Sequence, residues 1–286
     1  DCYLAGEELW LKVCVSDKDN QPMDISKVAY IEVSDAEQVY AQAKIDPNNG
    51  WGSGRIQFPR TMPSGTFQLT AYTRYLRNWG EEAFNRQLIA VVNTLQSSDK
   101  DRVEWTDSLP SLPVATSSKL SSDKQTYNKR SKVVLSWKDL PSDAFGWTLS
   151  VVRKDYALGG VPQPASYTPV SQPQAFPWIA ECEGHIVQAT LTNPTVQTRT
   201  ARMGCVGKDI RMFEGKVSKE GKDYFFYTYG INNMQDIAFD AVLVNPEEKV
   251  RLDIVTPFAE IKANELPILP LYSQEKALLE RSVMMQ

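Results

Sequence analysis

Nucleophilic hydrolysis, metal binding and acid–base catalysis each need particular side chains at particular spacings, and this chain of 286 residues offers few of them. His185 is its single histidine, so a Ser or Cys nucleophile has one imidazole base to draw on. It lies between Gly184 and Ile186 in an alternating stretch, 185–191, that predicts a strand and a structural role. The four cysteines, Cys2, Cys14, Cys182 and Cys205, contain no CxxC pair and lack the spacing of a tetrahedral zinc site. Either Cys2 pairs with Cys14 and Cys182 with Cys205, or all four are thiols behaving as small apolar residues. Glycoside hydrolysis needs two carboxylates facing each other across a cleft, and no Asp/Glu pair stands out from the acidic residues of the surface. Asp17-Lys18-Asp19-Asn20 reads like the start of a calcium loop, without the glycine and closing glutamate of EF-hand spacing. Gly50-Trp51-Gly52-Ser53-Gly54 has no following Lys-Ser/Thr and no helix, so it reads as a turn and not as a phosphate loop. The sequence therefore predicts no catalytic residue, no metal and no cofactor.

Aromatic side chains are the remaining candidates. Tyr72, Tyr75, Trp79 and Phe84 crowd around one irregular stretch, 73–86, and form the candidate contact surface for a sugar or a protein. Ordinary loop packing is the competing reading. Tyr224, Phe225, Phe226, Tyr227 and Tyr229 place aromatics on both faces of a second stretch, which reads as core or as one exposed face. Bulk composition narrows the partners. A net charge of −4 with scattered Lys and Arg gives no basic stripe for phosphates, so nucleic acid is not expected. No run of about 18 apolar residues is present to cross a membrane as a helix.

The elements that would position these side chains are short alternating runs. Residues 9–15 place Leu9, Leu11, Val13 and Val15 on one face and Trp10, Lys12 and Cys14 on the other. Further strands are expected over 28–33, 39–45, 55–58, 67–72 and 88–92, separated by turn clusters such as Pro47-Asn48-Asn49-Gly50 and Pro63-Ser64-Gly65. This is the pattern of a β-sandwich spanning 1–95. A Ser/Asp/Thr-rich linker follows over 96–113. A second sandwich is expected over 114–178, with strands near 133–137 and 147–152 and a proline-rich stretch from 158. It is short for a sandwich, so 246–262 is a candidate to complete it. The third module, 179–245, would then be an insertion with strands over 185–191, 199–206, 209–217, 224–229 and 237–244. The extension 263–286 carries good helix formers from Glu275 to Arg281 behind Ser273, a suitable N-cap. The fold class is thus all-β: two to three immunoglobulin-like or macroglobulin-like sandwiches in tandem with a short C-terminal helix. The abrupt start at Asp1 reads as a mature or trimmed chain, and a helix at Gln286 suggests that the natural protein continues.

Several segments carry a resemblance in the same order. Tyr3-Leu4-Ala5-Gly6-Glu7, Ser26-Lys27-Val28-Ala29-Tyr30, Gly52-Ser53-Gly54, Ser64-Gly65-Thr66-Phe67 and Ala71-Tyr72-Thr73-Arg74-Tyr75-Leu76-Arg77-Asn78 resemble the second macroglobulin-type domain of the α2-macroglobulin superfamily, in the version carried by bacterial envelope proteins. Asp123-Lys124-Gln125-Thr126-Tyr127 and Leu149-Ser150-Val151-Val152 are similar to the next sandwich of that arrangement. Glu181-Cys182-Glu183-Gly184-His185-Ile186-Val187 resembles a carboxypeptidase-regulatory-like sandwich. The resemblance implies a large exported protein, periplasmic or outer-membrane associated in a Gram-negative bacterium. It implies a protein partner at the envelope, such as an outer-membrane transporter or surface lipoprotein of a nutrient-uptake system. A glycan bound by exposed aromatics is the alternative. The thioester motif Gly-Cys-Gly-Glu-Gln of the protease-trapping members is missing: Gly204-Cys205 runs into Val206-Gly207-Lys208.

Overall fold

The computed structural model describes residues 2–95, 104–106, 119–139, 149, 172–192, 198–206, 210–230, 236–245, 247, 251–261, 265–268, 270–272 and 280–283. Apart from Leu149, the expected strand over 147–152 lies outside these residues, as do most of the linker and the proline-rich 158–171. Strands β1 (Cys2–Leu4), β2 (Glu8–Cys14), β3 (Ala29–Ser34), β4 (Val39–Ile45), β5 (Trp51–Gln57), β6 (Gly65–Tyr72) and β7 (Asn85–Val92) build the first module. A five-stranded sheet runs β1-β7-β6-β3-β4, antiparallel except for the parallel edge pair β1–β7. The antiparallel pair β2–β5 packs over it. Leu9, Ile31, Val33, Ile56, Phe58, Phe67, Ile89 and Val91 fill the space between. These are the inward positions of the period-two pattern, so burial follows the alternation.

Two local features depart from the expected reading. The glycine-rich 51–54 is the first half of strand β5 and not a turn. A Cβ on Gly52 or Gly54 would come within 2.8 and 2.9 Å of Ile45 side-chain atoms, so the glycines let β5 lie directly on that residue. Strand β3 is buried at every position. Ala29, Ile31 and Val33 enter the sandwich core, while Tyr30 and Glu32 lie on the opposite face, where a second layer covers them. Val28, Tyr30, Tyr72 and Phe84 form that layer's cluster, with Leu76, Phe258, Ala259 and Ile261 against it.

Beyond the first module lie β8 (Glu104–Thr106) and the antiparallel ribbon of β9 (Leu120–Ser122) with β10 (Leu135–Trp137), whose residues are exposed. The third module comprises β11 (Ile186–Leu191), β12 (Thr198–Val206), β13 (Arg211–Glu214), β14 (Lys216–Val217), β15 (Asp223–Tyr227), β16 (Asp236–Leu243) and β17 (Leu252–Ile254). Sheets β14-β15-β11-β17 and β13-β12-β16 enclose Val187, Ala189, Leu191, Ala201, Met203, Phe213, Tyr224 and Phe226. In the returning segment 246–262, β17 pairs antiparallel with β11. β18 (Pro270–Tyr272) runs parallel to β8. Within the expected helix 273–286, the described residues 280–283 are helical. Arg281 forks onto the Glu7 carboxylate and reaches the Cys2 carbonyl at 3.3 Å, which fastens this end to the first module.

All four cysteines are thiols. Cys2 sits on the edge of the five-stranded sheet and Cys14 is exposed on the opposing pair, while Cys205 faces the third module's core and Cys182 lies exposed outside it. The two pairings considered from sequence would each have to join separate layers. Burial pushes the Cys2 thiol up to about 11.

Candidate functional site

The site grows from the outer face of β3 and β6. Tyr30 and Tyr72 lie opposite each other in the register of these strands and stack with ring centroids 5.5 Å apart. Tyr72 also stacks on Phe84 at 4.3 Å, and Phe258 meets Tyr30 edge-on at 5.4 Å. Polar tips on these rings need partners when buried. The Tyr72 hydroxyl donates to the Glu32 carboxylate in a short bond and accepts the Ala259 N–H at 2.7 Å. The Gln42 amide donates to the other Glu32 oxygen at 2.7 Å. Glu32 is fully buried and both of its oxygens are engaged.

The Tyr30 hydroxyl leaves the first module altogether. It donates to both oxygens of Glu181, at 2.9 and 2.8 Å, from a residue 151 positions away. Glu181 also accepts the Ile186 N–H at 2.8 Å and faces His185 Nδ1 at 2.9 Å. Its backbone carbonyl takes the Lys27 N–H at 2.7 Å. On the far side of the imidazole, Lys44 Nζ lies 3.3 Å from Nε2. These contacts assign the tautomer. A lysine ammonium is a donor only, so Nε2 accepts and Nδ1 carries the proton given to Glu181. His185 therefore holds two modules together; it lies just before β11, where a strand residue was expected.

Burial sets the electrostatics of this seam. It raises the Tyr30 phenol far above its ordinary range, with the Glu181 charge and hydrogen bond adding to it. Burial likewise raises Tyr72, helped by its bond to Glu32, and lowers the Lys44 ammonium. The sign for stability follows. An unfolded tyrosine ionises near pH 10, whereas the folded phenols keep their protons, so their contribution is complete below about pH 10 and falls as pH rises through it. Lys44 acts the other way, but its effect is complete by about pH 10.5, where unfolded lysine also loses its proton. We expect thermal melts above pH 10.5 to show a steep alkaline loss, approaching about 1.4 kcal/mol per pH unit for each phenol. Tyr30→Phe and Tyr72→Phe should each flatten this limb; an unchanged slope in both would show that the phenols are not its source.

The residues singled out from sequence separate into two groups. Tyr72 and Phe84 are largely buried in the stack, 3% and 7% exposed. Tyr75 and Trp79 lie on a short 3-10 helix, Tyr75–Trp79, and are half-buried. They meet at 5.2 Å and gather Phe176, a residue 52% exposed, at 6.1 and 5.7 Å. In the second aromatic run, Tyr224 and Phe226 are core and Tyr229 is exposed. Asp17 caps its own loop, its carboxylate accepting the Asp19 and Gln21 N–H groups at 2.9 and 2.8 Å. Among the described residues no group of three His, Cys, Asp or Glu side chains could hold a metal ion, and no helix is long and apolar enough to cross a membrane. Sequence reasoning missed Tyr30, Glu32, Lys44 and Glu181; the available signal was a lone histidine four residues after a glutamate.

No family model matches the chain, and neither does any curated protein. Among solved structures it is similar to Salmonella alpha-2-macroglobulin reacted with methylamine, at 13% identity and a TM-score of 0.26 over 90% of this chain. It is also similar to trypsin-activated alpha-2-macroglobulin from Escherichia coli, at 11% identity and a TM-score of 0.28 over 90%. The native conformation of the E. coli protein gives 12% identity and a TM-score of 0.26 over 90%. These are distant and partial likenesses, in which the chain spans 14%, 15% and 14% of the respective solved chains.

Proposed function

We propose that this segment is a non-catalytic scaffold of a larger exported protein of the bacterial envelope, holding sandwich modules at a fixed angle for a protein partner. The observation that carries the reading is the Tyr30–Glu181–His185 seam. The Glu181 side chain is sealed from solvent, and its oxygens are used by donors from both modules. A carboxylate and an imidazole placed so tie the two modules to each other, and the carboxylate has no surface for a substrate to reach. The sequence resemblance to envelope macroglobulin-type domains supports the location. The partner consistent with it is an outer-membrane transporter or surface lipoprotein of a nutrient-uptake system.

The test is affinity capture of the tagged full-length protein from its native envelope, with partners identified by mass spectrometry. Stoichiometric recovery of such a transporter or lipoprotein is the expected result. Clear turnover of a chromogenic peptidase or glycosidase substrate would overturn the non-catalytic reading. A second reading, glycan capture, is favoured by the Tyr75–Trp79–Phe176 cluster, because an exposed Phe176 beside two half-buried rings can stack on a sugar. Tryptophan fluorescence during polysaccharide titration tests it, and a flat response counts against it.

A further inference from the structure

Beside the seam lies a cavity of about 390 Å³ that the scaffold reading does not use. Its walls come from three stretches: Arg74, Arg77 and Phe84 of the first module, Trp178 before the seam, and Gln188 with 255–260 of the third module. The walls are held in place. Asn78 clamps Trp178 through both backbone groups, at 2.8 and 2.9 Å. Val255 N–H bonds the Gln188 carbonyl at 2.9 Å, and Ala259 N–H bonds Tyr72.

Arg74 and Arg77 share this cavity with Glu81 and Glu260, but Glu81 pairs with Arg86 at 3.4 Å and, among the described residues, neither cavity arginine is paired with a carboxylate. Arg77 lies 3.6 Å over the Trp178 ring and Arg74 lies 5.3 Å from the same centroid. Arg77 donates to the neutral Pro257 carbonyl at 3.2 Å. Arg74 is 5% exposed, and its Nε has no acceptor at all. Among the described residues no carboxylate stands within ion-pair distance of either guanidinium. Burying an arginine donor without an acceptor costs free energy, and two like charges on one ring add to it. Burial most of all, and the neighbouring Arg74 charge, disfavour the charged form of Arg77, against smaller opposing effects of Tyr72, Tyr30 and Glu32. Such a cost is offset when an anion enters, since guanidinium and carboxylate pair through two parallel bonds.

The rest of the lining restricts which anion. Phe84, Trp178, Ile186 and Phe258 supply apolar surface for a hydrocarbon body. Glu81 and Glu260 also line the cavity, and their negative charge opposes a dianion more than a monoanion. The volume falls in the range of small-ligand sites. From these features we infer that the cavity binds a monocarboxylate carried on a small apolar body, either a free acid or the C-terminal residue of a peptide, with Arg77 and Arg74 as the anion-recognising pair. The inference is independent of what the scaffold holds.

Isothermal titration calorimetry on the whole chain tests it with N-acetyl-L-phenylalanine and its neutral isostere N-acetyl-L-phenylalaninamide. Charged hydrogen bonds to arginine predict the acid to bind roughly 10-fold or more tighter than the amide, and Arg77→Gln to lose about the same factor. Equal binding of acid and amide, or no saturation by the acid at about 10 mM, overturns the proposal. So does inorganic phosphate binding as tightly as the acid. The acid–amide comparison uses the unsubstituted protein, so it decides the matter even where Arg77→Gln fails to fold. An acetylated tripeptide ending in phenylalanine separates the two sources: tighter binding than the single residue assigns a peptide terminus, and equal binding assigns a free acid.

Discussion

Glu181→Ala is expected to destabilise the protein by about 3–5 kcal/mol, because it takes one shared acceptor from three donors at once and leaves the Tyr30 hydroxyl and His185 Nδ1, 3.2 Å apart, only each other. The Tyr30 hydroxyl, the His185 Nδ1–H and the Ile186 N–H all end on this carboxylate. An unsatisfied buried donor costs about 1–3 kcal/mol, and three sharing one acceptor do not add in full. Water cannot replace the lost oxygens without opening the seam, since the side chain has no exposed surface. Glu181→Gln keeps the shape and one carbonyl oxygen but turns one acceptor into a donor, so about 1–3 kcal/mol is expected there. Denaturant titration followed by circular dichroism reads both values. A loss below about 1 kcal/mol for the alanine variant would mean that the seam does not hold the modules together. The bond from the Lys27 N–H to the Glu181 carbonyl survives either substitution, so small-angle scattering should show loosening of the two modules and not detachment.

Why this seam was hard to read from sequence has a physical answer. Alternation along 28–33 located β3 to within a residue, because Ala29, Ile31 and Val33 face the core as a period of two requires. The same alternation puts Tyr30 and Glu32 on the other face without saying what covers it. Period two reports that two faces differ in polarity; it cannot report that a second layer covers the polar one. The partners of that face come from residues 181–185 and 258–261, and nothing local announces contacts at such separations. Trp178 is similar: its clamp on Asn78 spans 100 positions. Composition was misleading only at 51–54, where glycine signals a turn as well as close packing, and Ile45 decided between them. Tyr72 and Phe84 were legible as a cluster but not as a buried one, because crowding of aromatics gives no sign of depth. The helical end was legible from its helix formers, whereas its attachment to Glu7 is a long-range ion pair.

Gly184→Ala is expected to cost about 3 kcal/mol, although it adds a single methyl group. That methyl would come within 2.2 Å of the Thr228 carbonyl oxygen and 3.0 Å of its carbon, so the obstacle is backbone and cannot swing aside. Overpacking of this kind costs about 1–3 kcal/mol before anything else is lost. Here the strand that must retreat is tied to the seam. The Thr228 N–H and hydroxyl both donate to the His185 carbonyl, at 3.2 and 2.7 Å. Moving Thr228 strains these two bonds, each worth about 1 kcal/mol, and turns His185 away from Glu181 and Lys44. Gly204→Ala provides the contrast, since its added methyl meets only the Ala238 carbonyl oxygen at 3.9 Å and should stay within about 0.5 kcal/mol. Chemical denaturation of both variants distinguishes a packing effect from a general intolerance of β-sheet glycines to substitution. The decisive comparison is the double variant with Glu181→Ala. If Gly184 matters because it places His185 on the carboxylate, the two losses share one interaction and combine to less than their sum. Full additivity would mean that Gly184 serves the third module alone, and that the seam tolerates a displaced imidazole.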